Sequence, residues 1–367
     1  MKRVNELIYA GIGITVAGTM LLSTTGCREA EESAATPAPV EASADTPVFS
    51  LAWSEYPSWS VFGVADLYGM IDGEEGKLGP IEEKHGVDLV LIESDYDTCI
   101  TLYATGEADA VCITNMDILN PAMSRRAVAV LPTSTSNGAD ALIVTGIDSV
   151  EALRGKPVYG LEASVSQYTF VRNLELLGED TADHAFTNMD PAAAAQAMIT
   201  GQAGYDAIVV WNPFVLETLK KRQEASVLFD SSSIPGEIVD LVAFSAEALE
   251  REGGEAAARA ICEAFYALNE KLADPETGDE ALVALGSKFS SLELDEMKEV
   301  VVQTDFYESP EAGIDLFGGD ELKETMSNVV RFCQSYGILD DEPKVGYGDN
   351  TVDAHLTFTT KYMSPGE

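Results

Sequence analysis

Positive charge is what this sequence has least of: 22 Lys and Arg stand against 62 Asp and Glu, a formal net charge of −40. A chain without a basic stripe has nothing to displace counterions from phosphates, which excludes nucleic acid as a partner. The same sign excludes docking on an anionic membrane face. Taken alone, such a surface reads as a solvated one adapted to salty surroundings. Histidine is scarce too, and His85, His184 and His355 are scattered, with no metal-ligand or triad spacing among them. No C-x-x-C pair occurs, so neither a zinc site nor a thioredoxin-type site is expected. An exported chain permits disulfides among Cys99, Cys112, Cys262 and Cys333. Their spacing selects no pairing, and four buried free thiols fit equally well. No cofactor is implied.

What is present begins with a leader. Residues 1–26 carry Lys2 and Arg3 ahead of "LIYAGIGITVAGTMLL", an apolar run of 16 residues, short for a spanning helix and of signal-peptide length. The leader ends in "STTGC", where small residues before Cys27 resemble a bacterial lipobox, with Thr24 where leucine is usual. A lipid on Cys27 would tether the chain to a membrane without inserting it. Plain cleavage and an uncleaved anchor are the alternatives. Residues 27–47 are Ala, Glu, Pro and Ser with almost nothing to bury, an acidic spacer expected to be disordered.

The apolar fraction of 46% over 367 residues is enough for two domains with real cores. Two stretches echo each other: "LYATGEADAVCITNMD" from Leu102 and "MITGQAGYDAIVVWNPF" from Met198. Each reads as a helix end, Thr-Gly, a connector, Asp-Ala, a β-branched strand and an Asn. Gly106 and Gly201 supply left-handed stops, and the strands are buried runs of the parallel-sheet kind. Ligands of open α/β sheets sit beyond the carboxyl ends of strands. The echo predicts an α/β fold of two similar lobes, each offering an Asn-bearing loop to one cleft.

Lobe one is expected over 48–143 and 240–337, and lobe two over 144–239. Crossing strands are expected near Ala141–Val144 and Ile238–Val242, and residues 338–367 form a C-terminal tail. Asp97 is the expected cap of the helix near "DTCITLYAT", and Ser149 that of "VEALRG". Asp190-Pro191 and Asn212-Pro213 both read as cap-plus-proline helix starts. In "DELKETMSNVVRFCQSYG" the residues Leu322, Met326, Val329, Val330, Cys333 and Tyr336 fall on one apolar face.

The order of "NGADALIV", "VEALRGKPVYGLEASVSQYTFVRNLELLG", "AAAAQAMITGQAGYDAIVVWNPFV" and "SSSIPGEIVDLVAFS" resembles periplasmic substrate-binding proteins of nitrate/sulfonate/taurine-type ABC importers. "AWSEYPSW", "CITNMDILNPA" and "SNGADALIV" look closest to the branch associated with urea carboxylase. The resemblance implies a type II two-lobe binding-protein fold without catalysis, a small-molecule solute as cargo, and permease and ATPase subunits as partners. It implies a monomer in the periplasm or cell envelope. A guanidine or urea-like cation is the cargo of the narrower branch. A sulfonate or nitrate anion is the alternative, as is a sensor module of the same fold. The thiamine-pyrimidine synthases share this fold, but their chemistry needs clustered histidine and cysteine that this chain lacks.

If "VFSLAW" is the first strand, Trp53, Glu55, Tyr56 and Trp59 lie on the loop at its carboxyl end, and Trp211 lies at the matching edge of lobe two. All three tryptophans of the chain then face one cleft, where indole rings attract cations. The cleft loops carry Glu55, Asp117, Asp140, Glu162, Glu237 and Asp240. The nearest bases are Arg125 and Arg126, one loop away. An anion calls for Arg, Lys or a bare helix N-terminus, whereas a guanidinium calls for carboxylates and aromatic faces. Asp117 and Asp240 are the strongest candidates. Asn115, Asn137 and Asn212 offer amide groups, Ser164 or Ser166 a helix start, and Tyr168 a wall. Carboxylates of ordinary pKa predict weaker binding below about pH 4–5.

Overall fold

The computed structural model describes residues 39–289, 292–348 and 353–364. The leader and Cys27 lie outside the described residues. Two mixed sheets organise the rest, beside an antiparallel pair of Val40–Glu41 with Lys77–Leu78 that gives part of the expected disordered spacer, 27–47, a place in the fold. The larger runs in the order Val345–Tyr347, Leu356–Phe358, Ala127–Ser136, Val239–Ser245, Ala110–Thr114, Val48–Trp53, Asp88–Glu93, with Thr304–Phe306 paired beside Ala127–Ser136. The smaller runs Ala225–Asp230, Asp140–Thr145, Ala207–Trp211, Pro157–Gly160, Ala185–Asn188. Among the described residues no helix is long and apolar enough to cross a membrane.

The local sequence explains the elements. "VDLVAFS" is buried at every position because it lies inside its sheet, antiparallel to strands on both sides. Burying side chains the size of Leu241, Val242 and Phe244 contributes roughly 1.5–3 kcal/mol each. The parallel-sheet reading of the two echoed strands holds on one side only. Ala110–Thr114 is parallel to Val48–Trp53 and antiparallel to Val239–Ser245, and Ala207–Trp211 is likewise parallel to one neighbour and antiparallel to the other.

The helix starts needed two corrections. Asp95, not Asp97, caps the Tyr96–Thr105 helix, accepting from Thr98 N. Asn212 caps nothing: its peptide bond to Pro213 is cis, and the Phe214–Lys221 helix begins without a side-chain cap. Asp190 does cap Pro191–Ile199, and Ser149 accepts from Ala152 N at 3.3 Å. In Asp320–Ser335 the buried face is Leu322, Met326, Val329, Phe332 and Cys333, while Tyr336 lies exposed beyond the helix end. All four described cysteines are free and buried.

The chain passes between the sheets twice. Residues 137–139 lead from Ala127–Ser136 to Asp140–Thr145, and residues 231–238 lead from Ala225–Asp230 back to Val239–Ser245. The expected crossings therefore shift. The 141–144 stretch belongs wholly to the smaller sheet and Val239–Ser245 wholly to the larger. Gly138, in the first link, has φ 102, a conformation that favours glycine.

Candidate ligand-binding site

Each link delivers a carboxylate into the molecule. Asp140 opens the strand after the first link, and Asp240 follows the second; both are 2% exposed. Asp140 Oδ2 accepts from Ser136 Oγ at 2.7 Å, and Asp240 Oδ2 accepts from Ser134 Oγ at 2.6 Å. The Ser136 and Ser231 hydroxyls lie 2.7 Å apart, and Gly138 N donates to Ser231 Oγ, so the two links are tied to each other. Asp140 Oδ1 receives no hydrogen bond from a described residue.

These acids line a chamber with about 20 Å³ of free space, together with Ser54, Tyr56, Trp59, Tyr96, Thr114, Val165, Trp211 and Ile238. That is room for roughly one water. Its aromatic walls continue from ring to ring. Tyr56 and Trp59 lie 4.8 Å apart, Trp59 stacks on Tyr96 at 5.4 Å, and Trp211 meets Tyr96 edge-on at 6.1 Å. Phe214 follows Trp211 at 6.4 Å. Behind the box, Asp117 accepts the Tyr96 hydroxyl at 2.8 Å and keeps Oδ1 unpartnered among described residues.

Burial governs the charge state of these acids. It raises Asp140 to about 7, helped by the charge of Asp117, with the Ser136 hydrogen bond working against it. It raises Asp117 to about 6, against the Tyr96 hydrogen bond. It drives Asp240 well above the ordinary range, with Asp140 and Asp117 adding to the shift. The titration window expected from sequence, below about pH 4–5, is thus too low, because water is largely excluded from these carboxylates.

Outside the chamber lies a cleft of about 660 Å³ that shares Ser54, Tyr96 and Trp211 with it. Its rim bears Glu55, Glu93, Asp95, Asp97 and Asp190. A third cavity of about 260 Å³ shares Tyr96, Asp97 and Leu161 with the cleft and holds Asp117, Glu162 and Ser164. Among the described residues, no Lys or Arg lines any of the three. Asp95, Ser164 and Asp190 accept from their own helices' amides, whereas the helices Ser60–Leu67 and Phe214–Lys221, which begin beside the chamber and the cleft, carry no side-chain cap.

The structure thus brings together Tyr56, Trp59, Trp211, Asp140 and Asp240, with Glu55 on the rim and Asp117, Glu162 and Ser164 in the third cavity. Other expectations are corrected. Trp53 lies away from the chamber, its ring packed so closely on Gly63 that a Cβ there would fall 2.9 Å from it. Asn115 serves the backbone, donating to Glu237 O and accepting from Val239 N. Asn137 is exposed and donates to Asp305; Asn212 donates to Gln303 Oε1 at 2.7 Å. Tyr168 donates to Glu237 and packs edge-on against Phe332 at 5.0 Å, outside the three cavities. Glu237 is itself held by Arg172 through two hydrogen bonds of 2.9 Å. Burial favours its neutral form, but these bonds from Arg172 and Tyr168 prevail and hold its pKa below the usual value. Arg125 turns away, donating to Tyr103 O, Ala108 O and Ser245 Oγ.

Sequence reasoning missed Tyr96, which lines all three cavities. A signal was available: it opens the helix just beyond the carboxyl end of the parallel strand Asp88–Glu93, the position that singled out Trp59.

No protein-family model matches the sequence, and no curated protein sequence matches it. Solved structures do. The periplasmic aliphatic sulphonate binding protein SsuA from Escherichia coli superposes with a TM-score of 0.61 at 15% identity, covering 80% of this chain and 89% of that one. The alkanesulfonate-binding protein SsuA from Xanthomonas axonopodis pv. citri, bound to MOPS, gives 0.62 at 14% identity, covering 82% and 96%. A Candida albicans gene product described as having the generic periplasmic binding protein structural fold gives 0.59 at 13% identity, covering 80% and 92%. This chain has that fold: two α/β sheets linked twice, with a chamber beside the links and a cleft outside it.

Proposed function

We propose that this chain is the substrate-binding component of an ABC importer. It captures a small nitrogenous cation of the guanidinium or urea-like class in the cell envelope and delivers it to a membrane permease. One observation carries the reading. Buried Asp140 and Asp240 share a chamber with four aromatic rings, and no base among the described residues lines it. A cation there gains both carboxylate hydrogen bonds and ring faces. A sulfonate or nitrate would meet acids with no base beside them among the described lining residues. The fold and its likeness to sulfonate-binding proteins support transport rather than enzymatic turnover. The leader supports a lipid tether at Cys27 and work in the periplasm.

Calorimetry on the mature chain with guanidinium, urea, taurine and nitrate tests the cargo. Guanidinium is expected to bind and the anions are not. Tight binding of taurine or nitrate, indifferent to Asp240→Asn, would falsify the cation reading and leave the importer reading standing. Fractionation tests the tether: Cys27→Ser is expected to release the protein into the soluble periplasmic fraction, and unchanged membrane association would point to an uncleaved leader.

A further inference from the structure

The site holds three buried carboxyl groups, more than one monocation can pair. Asp140 and Asp240 line the inner chamber, and Asp117 lines the adjoining cavity of about 260 Å³. All three are more than nine-tenths buried. Two carboxylate oxygens, Asp140 Oδ1 and Asp117 Oδ1, receive no hydrogen bond from a described residue, and they belong to different cavities. Buried carboxylates left without partners are costly, so each free oxygen marks a place for a positive donor. A bare metal ion suits neither place. Among the described residues no group of three or more His, Cys, Asp or Glu could hold one, and the walls between the acids are aromatic.

The Tyr96 ring borders both places, and both open on the same cleft. It lines both cavities and the open cleft, with Trp59 stacked on one side and Trp211 edge-on at another. An apolar chain lying along these rings would carry a charged group at either end.

Resting on the cation reading above, we infer that the cargo is a dication, an ammonium group, of a size the chamber admits, joined by a short apolar chain to a second ammonium or guanidinium group. One group sits against Asp140 and Asp240 in the chamber and the other against Asp117. The class is that of α,ω-diamines and aminoalkylguanidines.

The test compares 1,4-diaminobutane, 1-amino-4-guanidinobutane, butylammonium and guanidinium on the mature chain, with taurine as the anion control. Calorimetry and tryptophan fluorescence read the binding. The dications are expected to bind at least tenfold tighter than butylammonium, with an optimum in a series of three- to six-carbon diamines. Asp117→Asn is expected to shrink the dication's advantage over butylammonium at least fivefold. The length series on the unmodified chain stands even if that variant folds poorly. Guanidinium or butylammonium binding as tightly as every dication would overturn this inference while sparing the cation reading. Binding of taurine and of no cation would overturn both, and failure of every dication to bind would overturn the inference.

Discussion

Glu237 and Asp240 are three residues apart and live under opposite rules. Glu237 meets Arg172 twice and Tyr168 once, and its carboxyl is held ionised below the usual value. Asp240 has one serine hydroxyl and no base among the described residues, and burial drives its pKa well above the ordinary range. The first carboxylate is finished, because its partner is part of the fold. The second is left open toward a chamber. In a chain with acid everywhere, the residue type identifies nothing, and the missing internal partner is what marks a site.

Breaking the finished pair gives the largest expected effect. Arg172→Met leaves Glu237 half buried and unpaired, and should cost about 3 kcal/mol of stability, the low end for a broken buried pair. Asp240→Asn removes an unpaired acid and should leave the ligand-free protein as stable or more so. Urea denaturation of both variants checks the contrast, and equal losses would erase it.

Next comes binding. Asp240→Asn should weaken a guanidinium-bearing ligand by about 1.5–3 kcal/mol, the scale of a hydrogen bond to a charged partner. Calorimetry would read this as roughly ten- to a hundredfold.

The third effect is the pH dependence. Asp140 titrates near 7 in the folded protein and near 3.9 when unfolded. The folded state keeps its proton longer, so the stability this group contributes is full below about pH 4 and falls as pH rises to about 7. Cation binding runs the other way. It needs the ionised form, so affinity should rise as pH climbs through about 7, where Asp140 ionises, with roughly a tenfold deficit at pH 6 from that group alone. Titrations in buffers of different ionisation heat should show proton release on binding near pH 6.

The smallest effect belongs to Trp211, which is only partly buried. Trp211→Leu removes one ring face and should cost about 0.5–1 kcal/mol of affinity. No change in fluorescence titrations would confine recognition to the chamber.

Much of the fold was legible because short-range chemistry dictated it. The strand Val48–Trp53, the Asp190 cap and the left-handed stop at Gly106 follow from neighbours in sequence. The site was legible in part. Trp59, Tyr56, Trp211, Asp140 and Asp240, expected on the cleft loops, line the candidate chamber together. Trp53 was misjudged, although its parity with the buried Phe49 and Leu51 puts it on the face packed under a helix. The three asparagines failed for another reason. Their partners are Glu237 O, Asp305 and Gln303, and all lie more than ninety residues away. Tyr96 was missed because its rings of contact come from both sheets.

The acid-lined mouth also bears on how quickly cargo arrives. A cleft rimmed by Glu55, Glu93, Asp95, Asp97 and Asp190 concentrates cations from the surrounding solution and speeds their encounter with the protein. That pull is screened over about 8 Å at physiological ionic strength. The buried acids behind it are shielded from salt by the protein itself. Raising salt should therefore slow association while leaving the dissociation rate nearly unchanged. In brine, this molecule would hold its cargo as long as in dilute buffer, and simply wait longer to catch it.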